Sequence, residues 1–374
     1  MAMAPVNQTP PRILLHVFST LSVGGQQVRF ATLVNNGLGE FVHRLFAMDG
    51  QYESMKLFNE DAPCEIFETR FTKGNTAGNV LAFRRALNTL RPDILVTYNW
   101  GAIEWAMANF GRSCPHIHIV DGFGPEEAEG QLQRRVLFRR LAFWRNTTTV
   151  VPSRTLYEIA TKTWRLPPGD VAFIPNGIDC TRFDNMPDPA YARQLGLDGA
   201  GPVIGTVAAL RPEKNLTRLI EAFAISVAKN PAIRLVIVGD GAERPALEAA
   251  AIKFDVAEKV TFTGYIADPA PVLSLFDIFA LSSDTEQMPI SVLEAMAARL
   301  PVAGVDVGDV RHIVSDPNRP LIVNRDARAL ADILSTLAGD ADLRDRIGQA
   351  NRRHAESHYS QADMVSAYTK LFSA

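Results

Sequence analysis

Two glutamates stand eight residues apart in Asp277–Pro301, DIFALSSDTEQMPISVLEAMAARLP: Glu286 and Glu294. An apolar run to Ser282 reads as a strand that opens into a polar loop. Pro289 then stands where a first helical position would be, and Leu293–Arg299 continue a helix that Pro301 ends. This places the backbone N–H groups of Met288, Ile290 and Ser291 at a helix start, whose dipole and unused donors suit a phosphate. One of the two carboxylates can then accept from a sugar hydroxyl and the other from a ribose hydroxyl. A second stretch, Thr206–Asn215 (TVAALRPEKN), ends a strand in a loop carrying Arg211 and Lys214 ahead of another helix. Arginine can grip two oxygens at once and lysine acts as a point charge, so the pair makes a clamp for a diphosphate. Taken singly, residues of these types are mostly solvated surface. Their company makes a leaving-group site the better reading.

The elements that must position these loops follow from hydrophobic periodicity. Ile13–Phe18, Asp93–Thr97, His116–Val120 and Thr148–Val151 have the apolar, β-rich character of buried parallel strands. Helical patterns such as Gln26–Asn35 and Asn79–Thr89 lie between them. The second half repeats the alternation with strands Val203–Val207, Arg234–Val238, Lys259–Thr263 and Asp277–Leu281, and helices such as Leu216–Ala228 and Arg244–Phe254. This grammar predicts an α/β chain of two Rossmann-like, doubly wound domains facing an interdomain cleft. Periodicity lapses in Asp179–Pro202, where Pro, Asp and Gly gather. The expected domains are therefore 1–185 and 186–357, with the helical segment 358–374 returning to the first.

Composition narrows the class of function. The chain has 374 residues, 47% of them hydrophobic, enough to bury a large core. Its net charge of −3 offers no general attraction for nucleic acid, which is not an expected partner. The cysteines, Cys64, Cys114 and Cys180, are few and scattered, which fits a reducing cytoplasm better than a disulfide framework. Apolar runs stop short of the ~20 residues that span a bilayer.

The combination of Glu286 and Glu294 around LEAMA, RPEKN, VGDGAERPALE (Val238–Glu248), IPNGID (Ile174–Asp179) and the glycine pair Gly24–Gly25 resembles the retaining GT-B glycosyltransferases of family 4, also called glycosyl transferases group 1. That resemblance extends from Arg12 to about Leu371. It implies a hexosyltransferase whose C-terminal domain binds a nucleotide-diphosphate sugar and whose N-terminal domain binds a glycan or lipid-linked acceptor, in cell-envelope or exopolysaccharide biosynthesis. On the matching positions, Arg211 and Lys214 would hold the diphosphate and Glu294 the ribose. Glu286, with the backbone of Gln287, Met288, Pro289 and Ile290, would hold the donor sugar. Gly264, Tyr265 and Ile266 would border the base, Gly24 and Gly25 would let the first loop approach the sugar, and His118 would contact the sugar near its reacting carbon. The pattern departs at Ala209, where members often carry arginine, and after Glu286, where Gln287-Met288-Pro289 replaces the usual Gly-Phe-Gly. No cofactor beyond the donor substrate is implied, and the enzyme is expected to be metal-independent and cytoplasmic.

Several residues carry competing readings. His118 beside an apolar strand is most often a hydrogen-bonded structural histidine, but it precedes the loop Asp121-Gly122-Phe123-Gly124. The only DxD match, Asp340-Ala341-Asp342, lies in a turn between helical patterns, where aspartate commonly caps a helix; it reads as structural, leaving no metal site. Gln131–Asn146 carries Arg134, Arg135, Arg139, Arg140 and Arg145 with no acid, interleaved with Leu137, Phe138, Phe143 and Trp144. Two readings stand for it: docking on anionic lipid at the inner face of a membrane, and a partly buried helix with snorkelling arginines. The rival functions are a catalytically silent nucleotide-sugar-binding protein and a GT-B sugar epimerase.

Overall fold

Short, β-branched and largely buried runs form two separate parallel sheets in the computed structural model, which describes residues 10–374 apart from 112, 124–126, 128–129, 144–146, 198 and 200. The first contains β1 (Ile13–Phe18), β2 (Val42–Ala47), β3 (Cys64–Ile66), β4 (Ile94–Tyr98), β5 (His116–Ile119), β6 (Thr147–Val151) and β7 (Val171–Phe173) in the order β3-β2-β1-β4-β5-β6-β7. The second contains β8 (Val203–Val207), β9 (Arg234–Val238), β10 (Val260–Gly264), β11 (Ile278–Leu281), β12 (Val302–Val305) and β13 (Ile322–Val323) in the order β10-β9-β8-β11-β12-β13. Every strand pairing in both is parallel, so the strands need helical crossovers and are covered on both faces. Each sheet is doubly wound. Chain order reverses between β1 and β4 in the first and between β8 and β11 in the second, the places where loops part and ligands bind.

The chain divides into two units, Met1–Ile174 with Val365–Ala374, and Pro175–Met364. The first boundary therefore falls earlier than the composition break near 185. Ile178, Cys180 and Phe183 are buried in the apolar core of the second unit, and Ile178 exchanges backbone hydrogen bonds with Tyr359 and Gln361. Apolar burial, not the cluster of Pro and Asp, sets the edge. The last helix, Gln361–Ser373, starts in the second unit, and its residues from Val365 on belong to the first. There Tyr368 and Phe372 are buried, and Arg12 donates to the Phe372 carbonyl at 2.9 Å.

A buried polar chain runs through the first sheet. His43 Nε2 donates to the Leu38 carbonyl at 2.9 Å, so its Nδ1 is the acceptor and takes the His16 Nε2 proton at 3.0 Å. His16 Nδ1 then accepts from the Tyr98 hydroxyl at 3.0 Å. Both imidazoles are held neutral: burial pushes His43 down to about 4 and His16 well below its usual value.

Candidate active site

The two loops singled out by their residue types follow β8 and β11, the adjacent strands at which the second sheet reverses. Because β8 leads toward β9 and β11 toward β12, their loops diverge and leave a crevice at the carboxyl edge. The loop after β8 contains a short 3-10 turn, Pro212–Lys214, and ends on Asn215, which caps the helix Leu216–Lys229 by accepting from the Arg218 N–H at 3.2 Å. The same side chain donates through Nδ2 to Asp284 at 2.8 Å in the loop after β11, and Arg218 pairs with Asp284 at 2.7 Å. Asp284 N–H donates to the Glu213 carbonyl at 2.8 Å, and the Ser282 hydroxyl to the Lys214 carbonyl at 3.0 Å. Backbone and side chain together stitch the loops along one seam.

Lys214 and Glu286 meet across that seam. The ammonium donates to Glu286 Oε1 at 2.5 Å, and the buried Ser283 hydroxyl donates to the same oxygen at 2.8 Å. The side chains keep 24% and 11% of their exposure, so solvent reaches the pair only in part. Arg211, three residues earlier, is exposed, and its guanidinium has no partner among the described residues. From the other side the loop Val307–Asp309 buttresses Glu286 and Gln287. Gly308 holds φ +53, a Cβ there would collide with the Glu286 carbonyl, and Asp309 N–H donates to the Gln287 carbonyl at 3.0 Å.

Pro289 caps the next helix, which spans Ile290–Ala297, so it precedes the first helical position instead of occupying it. Asn176 Nδ2 donates to the Met288 carbonyl at 2.9 Å, and the Met288 side chain is buried in the core. The Ile290 and Ser291 N–H groups stand in the first turn, where intrahelical acceptors are lacking. Val292, Leu293, Ala295, Met296 and Ala297 fill the core, which leaves Ile290, Ser291 and Glu294 on the partly exposed side. Enclosure pushes the Glu294 carboxyl up from 4.5 to about 7, against the pull of Arg182 and with a push from Asp268. Arg182 and Asp268 themselves pair at 2.6 Å. Gly264 closes β10 at φ +76, Tyr265 is exposed, and Ile266 packs on the core.

Gly24, Gly25 and His118 belong to the first unit. Gly24 caps the helix Gly25–Asn36 at φ −166, an extended backbone open to any residue, so conformation does not demand glycine there. His118 is a correction to the sequence expectation. It lies inside β5, 2% exposed, with Nδ1 2.8 Å from the Thr97 hydroxyl and its ring stacked on Phe143 at 4.1 Å. Burial pushes its pKa well down. The side chain has no surface to offer a sugar. The polar group at the edge of β5 is Asp121, which takes hydrogen bonds from Gln26 and Arg29, while its N–H donates to Asn99 Oδ1 at 2.8 Å. Arg29 is 4% exposed. Sequence reasoning gave no weight to Arg29 or Asn99; an arginine one turn into an amphipathic helix carries no local signal that it is buried.

The basic segment Gln131–Asn146 resolves into a helix over Gln133–Ala142; Trp144, Arg145 and Asn146, like Gly124, lie outside the described residues. Its acid comes from upstream. Glu127, fully buried, pairs with Arg139 at 2.7 Å and Arg135 at 3.2 Å, and Arg139 also packs against Trp100, Phe123 and Trp164. The partly buried helix is thus observed for these two arginines, while Leu137, Leu141 and Arg134 are exposed. Asp340 caps the helix Ala341–His358 by accepting from Leu343 N–H at 2.8 Å. Among the described residues no group of three or more His, Cys, Asp or Glu is placed to hold a metal ion, and no helix is long and apolar enough to cross a membrane.

Comparison with known proteins bears on both units. The family model for glycosyl transferases group 1 matches residues 188–354, and that for glycosyltransferase family 4 matches residues 51–182. A GDP-mannose-dependent monoacylated alpha-(1-6)-phosphatidylinositol monomannoside mannosyltransferase of Corynebacterium glutamicum is 30% identical over 210 residues, covering 53% of this chain and 55% of that one. The lipopolysaccharide core biosynthesis glycosyltransferase LpsE of Rhizobium meliloti is 28% identical over 182 residues, covering 48% and 52%. The chain thus spans about half the length of the curated relatives it matches. Among solved structures, HepE of Anabaena in complex with UDP-glucose superposes with a TM-score of 0.81 at 20% identity, over 96% of this chain and 99% of that one. With each half matching a glycosyltransferase family and two doubly wound sheets matching a GT-B structure throughout, the chain belongs to the family 4, group 1 glycosyltransferases and has the GT-B fold.

Proposed function

We propose that the chain is a retaining glycosyltransferase that moves a hexose-type sugar from a nucleotide-diphosphate donor to a glycan or lipid-linked acceptor in cell-envelope or exopolysaccharide biosynthesis. The observation that carries this reading is the meeting of Lys214 and Glu286 at the reversal point of the second sheet, beside the start of the helix Ile290–Ala297. A cation, a carboxylate and a helix start within one crevice match the two ends of a sugar diphosphate: negative charge on one side, hydroxyl groups on the other. In this reading Lys214, Arg211 and the first-turn N–H groups hold the diphosphate. Glu286, with the backbone of Gln287–Ile290, takes the sugar hydroxyls, Glu294 the ribose, and Gly264–Ile266 border the base. Gly24 and Gly25 serve the donor loop of the first unit.

Charge develops on the departing diphosphate as the glycosidic bond lengthens, and fixed cations stabilise that charge more than they stabilise the ground state. The departing oxygen then accepts the acceptor's proton on the face it leaves, which delivers the new bond with retention. The relatives named for phosphatidylinositol mannoside and lipopolysaccharide core synthesis favour an envelope acceptor, and the exposed Arg134, Leu137 and Leu141 would suit contact with a lipid-bearing surface. Nucleotide release from UDP-, GDP- and ADP-sugars, with and without EDTA and with lipid-linked acceptors, tests the reading. Selective release that survives EDTA, with the donor's anomeric configuration kept in the product by NMR, is expected. An inverted product or a requirement for a divalent ion would overturn retention or metal independence respectively. Lys214→Ala is expected to lower kcat/KM by about 30-fold or more, about 2 kcal/mol of transition-state stabilisation.

A further inference from the structure

The crevice holds an anion, the Glu286 carboxylate, on the cation proposed for the diphosphate. Glu286 Oε1 accepts from both Lys214 Nζ, at 2.5 Å, and Ser283 Oγ, at 2.8 Å, while its second oxygen accepts from no described residue. Both partners are mostly covered, and the loops that bear them are fastened through Asp284, Asn215 and Arg218. The pair is therefore held in place, because neither loop must be ordered to form it and water screens it only in part.

Resting on the donor-site reading above, we infer that Glu286 is a placeholder for the diphosphate, so that the site discriminates between a nucleotide sugar and the bare nucleoside diphosphate. A diphosphate that reaches Lys214 must share or displace Glu286 and then lies beside its negative charge. When a sugar is attached, its hydroxyl groups donate to the displaced carboxylate and offset that loss. After transfer the sugar is gone, the carboxylate has no donor but Ser283 and Lys214, and its return to Lys214 opposes the diphosphate that remains. Glu286 thereby favours binding of the donor and release of the product through one charge.

Isothermal titration of UDP, GDP and ADP, and of the matching nucleotide sugars without acceptor, into the unaltered protein, E286Q, K214M and the double variant tests this. The amide of Glu286→Gln can still accept from Ser283 and Lys214 but carries no charge. E286Q is expected to bind the preferred nucleoside diphosphate about three- to tenfold tighter, the size of a partly screened charge pair. It should not gain for the nucleotide sugar, and the gain should vanish in the K214M background. Unchanged or weaker diphosphate binding by E286Q, with K214M still weakened, overturns the placeholder and leaves the clamp standing. So does a gain that persists in K214M, which would make Glu286 a simple repulsive charge. If K214M binds the diphosphate as tightly as the unaltered protein, or no nucleotide binds at all, the donor-site reading itself falls, and the placeholder with it.

Discussion

Replacing Glu294 with glutamine removes an acid whose protonation the second unit shifts into the neutral range. The carboxyl has an ordinary value of 4.5 and is pushed up to about 7 in the folded chain by enclosure, with Arg182 and Asp268 as opposing neighbours. Between those values the folded protein binds a proton that the unfolded chain does not, so stability is greatest below 4.5 and declines as pH rises through 7. At 1.36 kcal/mol per decade the ceiling is about 3 kcal/mol; residual exposure to water lowers the expected decline to roughly 1–2 kcal/mol. The glutamine amide is neutral throughout, so E294Q should lack this decline and become the more stable protein by pH 8. Urea unfolding followed by far-UV circular dichroism at pH 5, 6, 7 and 8 measures it. The four tryptophans, Trp100, Trp105, Trp144 and Trp164, all lie in the first unit, so their fluorescence is an internal control that the substitution should not move. Stabilities of the two proteins that change in parallel from pH 5 to 8 would refute the burial argument. If Glu294 also binds a ribose as its carboxylate, affinity of the unaltered protein for nucleoside diphosphate should fall below pH 7, and E294Q should bind weakly with little pH dependence.

Three further outcomes follow from the same structure. Gly308→Ala places a Cβ against the Glu286 carbonyl at φ +53; a loss of roughly 1–3 kcal/mol of stability and slower nucleotide release are expected, measured by urea midpoint and initial rate. In the first unit His43 is pushed from 6.5 to about 4, so the folded form loses stability as pH falls from 6.5 through 4, by up to about 3 kcal/mol. Tryptophan fluorescence in urea should show that decline flattened in His43→Gln. Arg29→Met strips Asp121 of its buried guanidinium partner and should lower the first unit's stability by roughly 3 kcal/mol; a midpoint unchanged by fluorescence would mean water replaces the guanidinium without penalty.

Local chemistry made much of this protein legible from the chain alone. Strands β1, β8 and β9 appear at the residues their periodicity marks, because runs such as ILLHVF and RLVIV are apolar on both faces, as strands buried between helices must be. The loops bearing Lys214 and Glu286 were legible because each is polar and carries one proline, Pro212 or Pro289, shortly before the next helix. Strands β2, β3, β7, β12 and β13 were not foreseen: they are short or, like VHRLFA, interrupted by charge, and only pairing with a neighbour makes strands of them.

Other features exist only in three dimensions. That Lys214 finds Glu286, 72 positions away, depends on β8 and β11 being neighbours in the sheet. His118 is withdrawn from solvent because Thr97 and Phe143, on separate elements, close over it. Glu294 is raised by enclosure that no spacing of residues can express. The sequence by itself determined which residues could do chemistry and the strand-helix alternation that carries them, since both depend on neighbours along the chain. Partners, burial and protonation were decided only by the tertiary structure, because they depend on the dielectric and the charges supplied by residues far away in sequence.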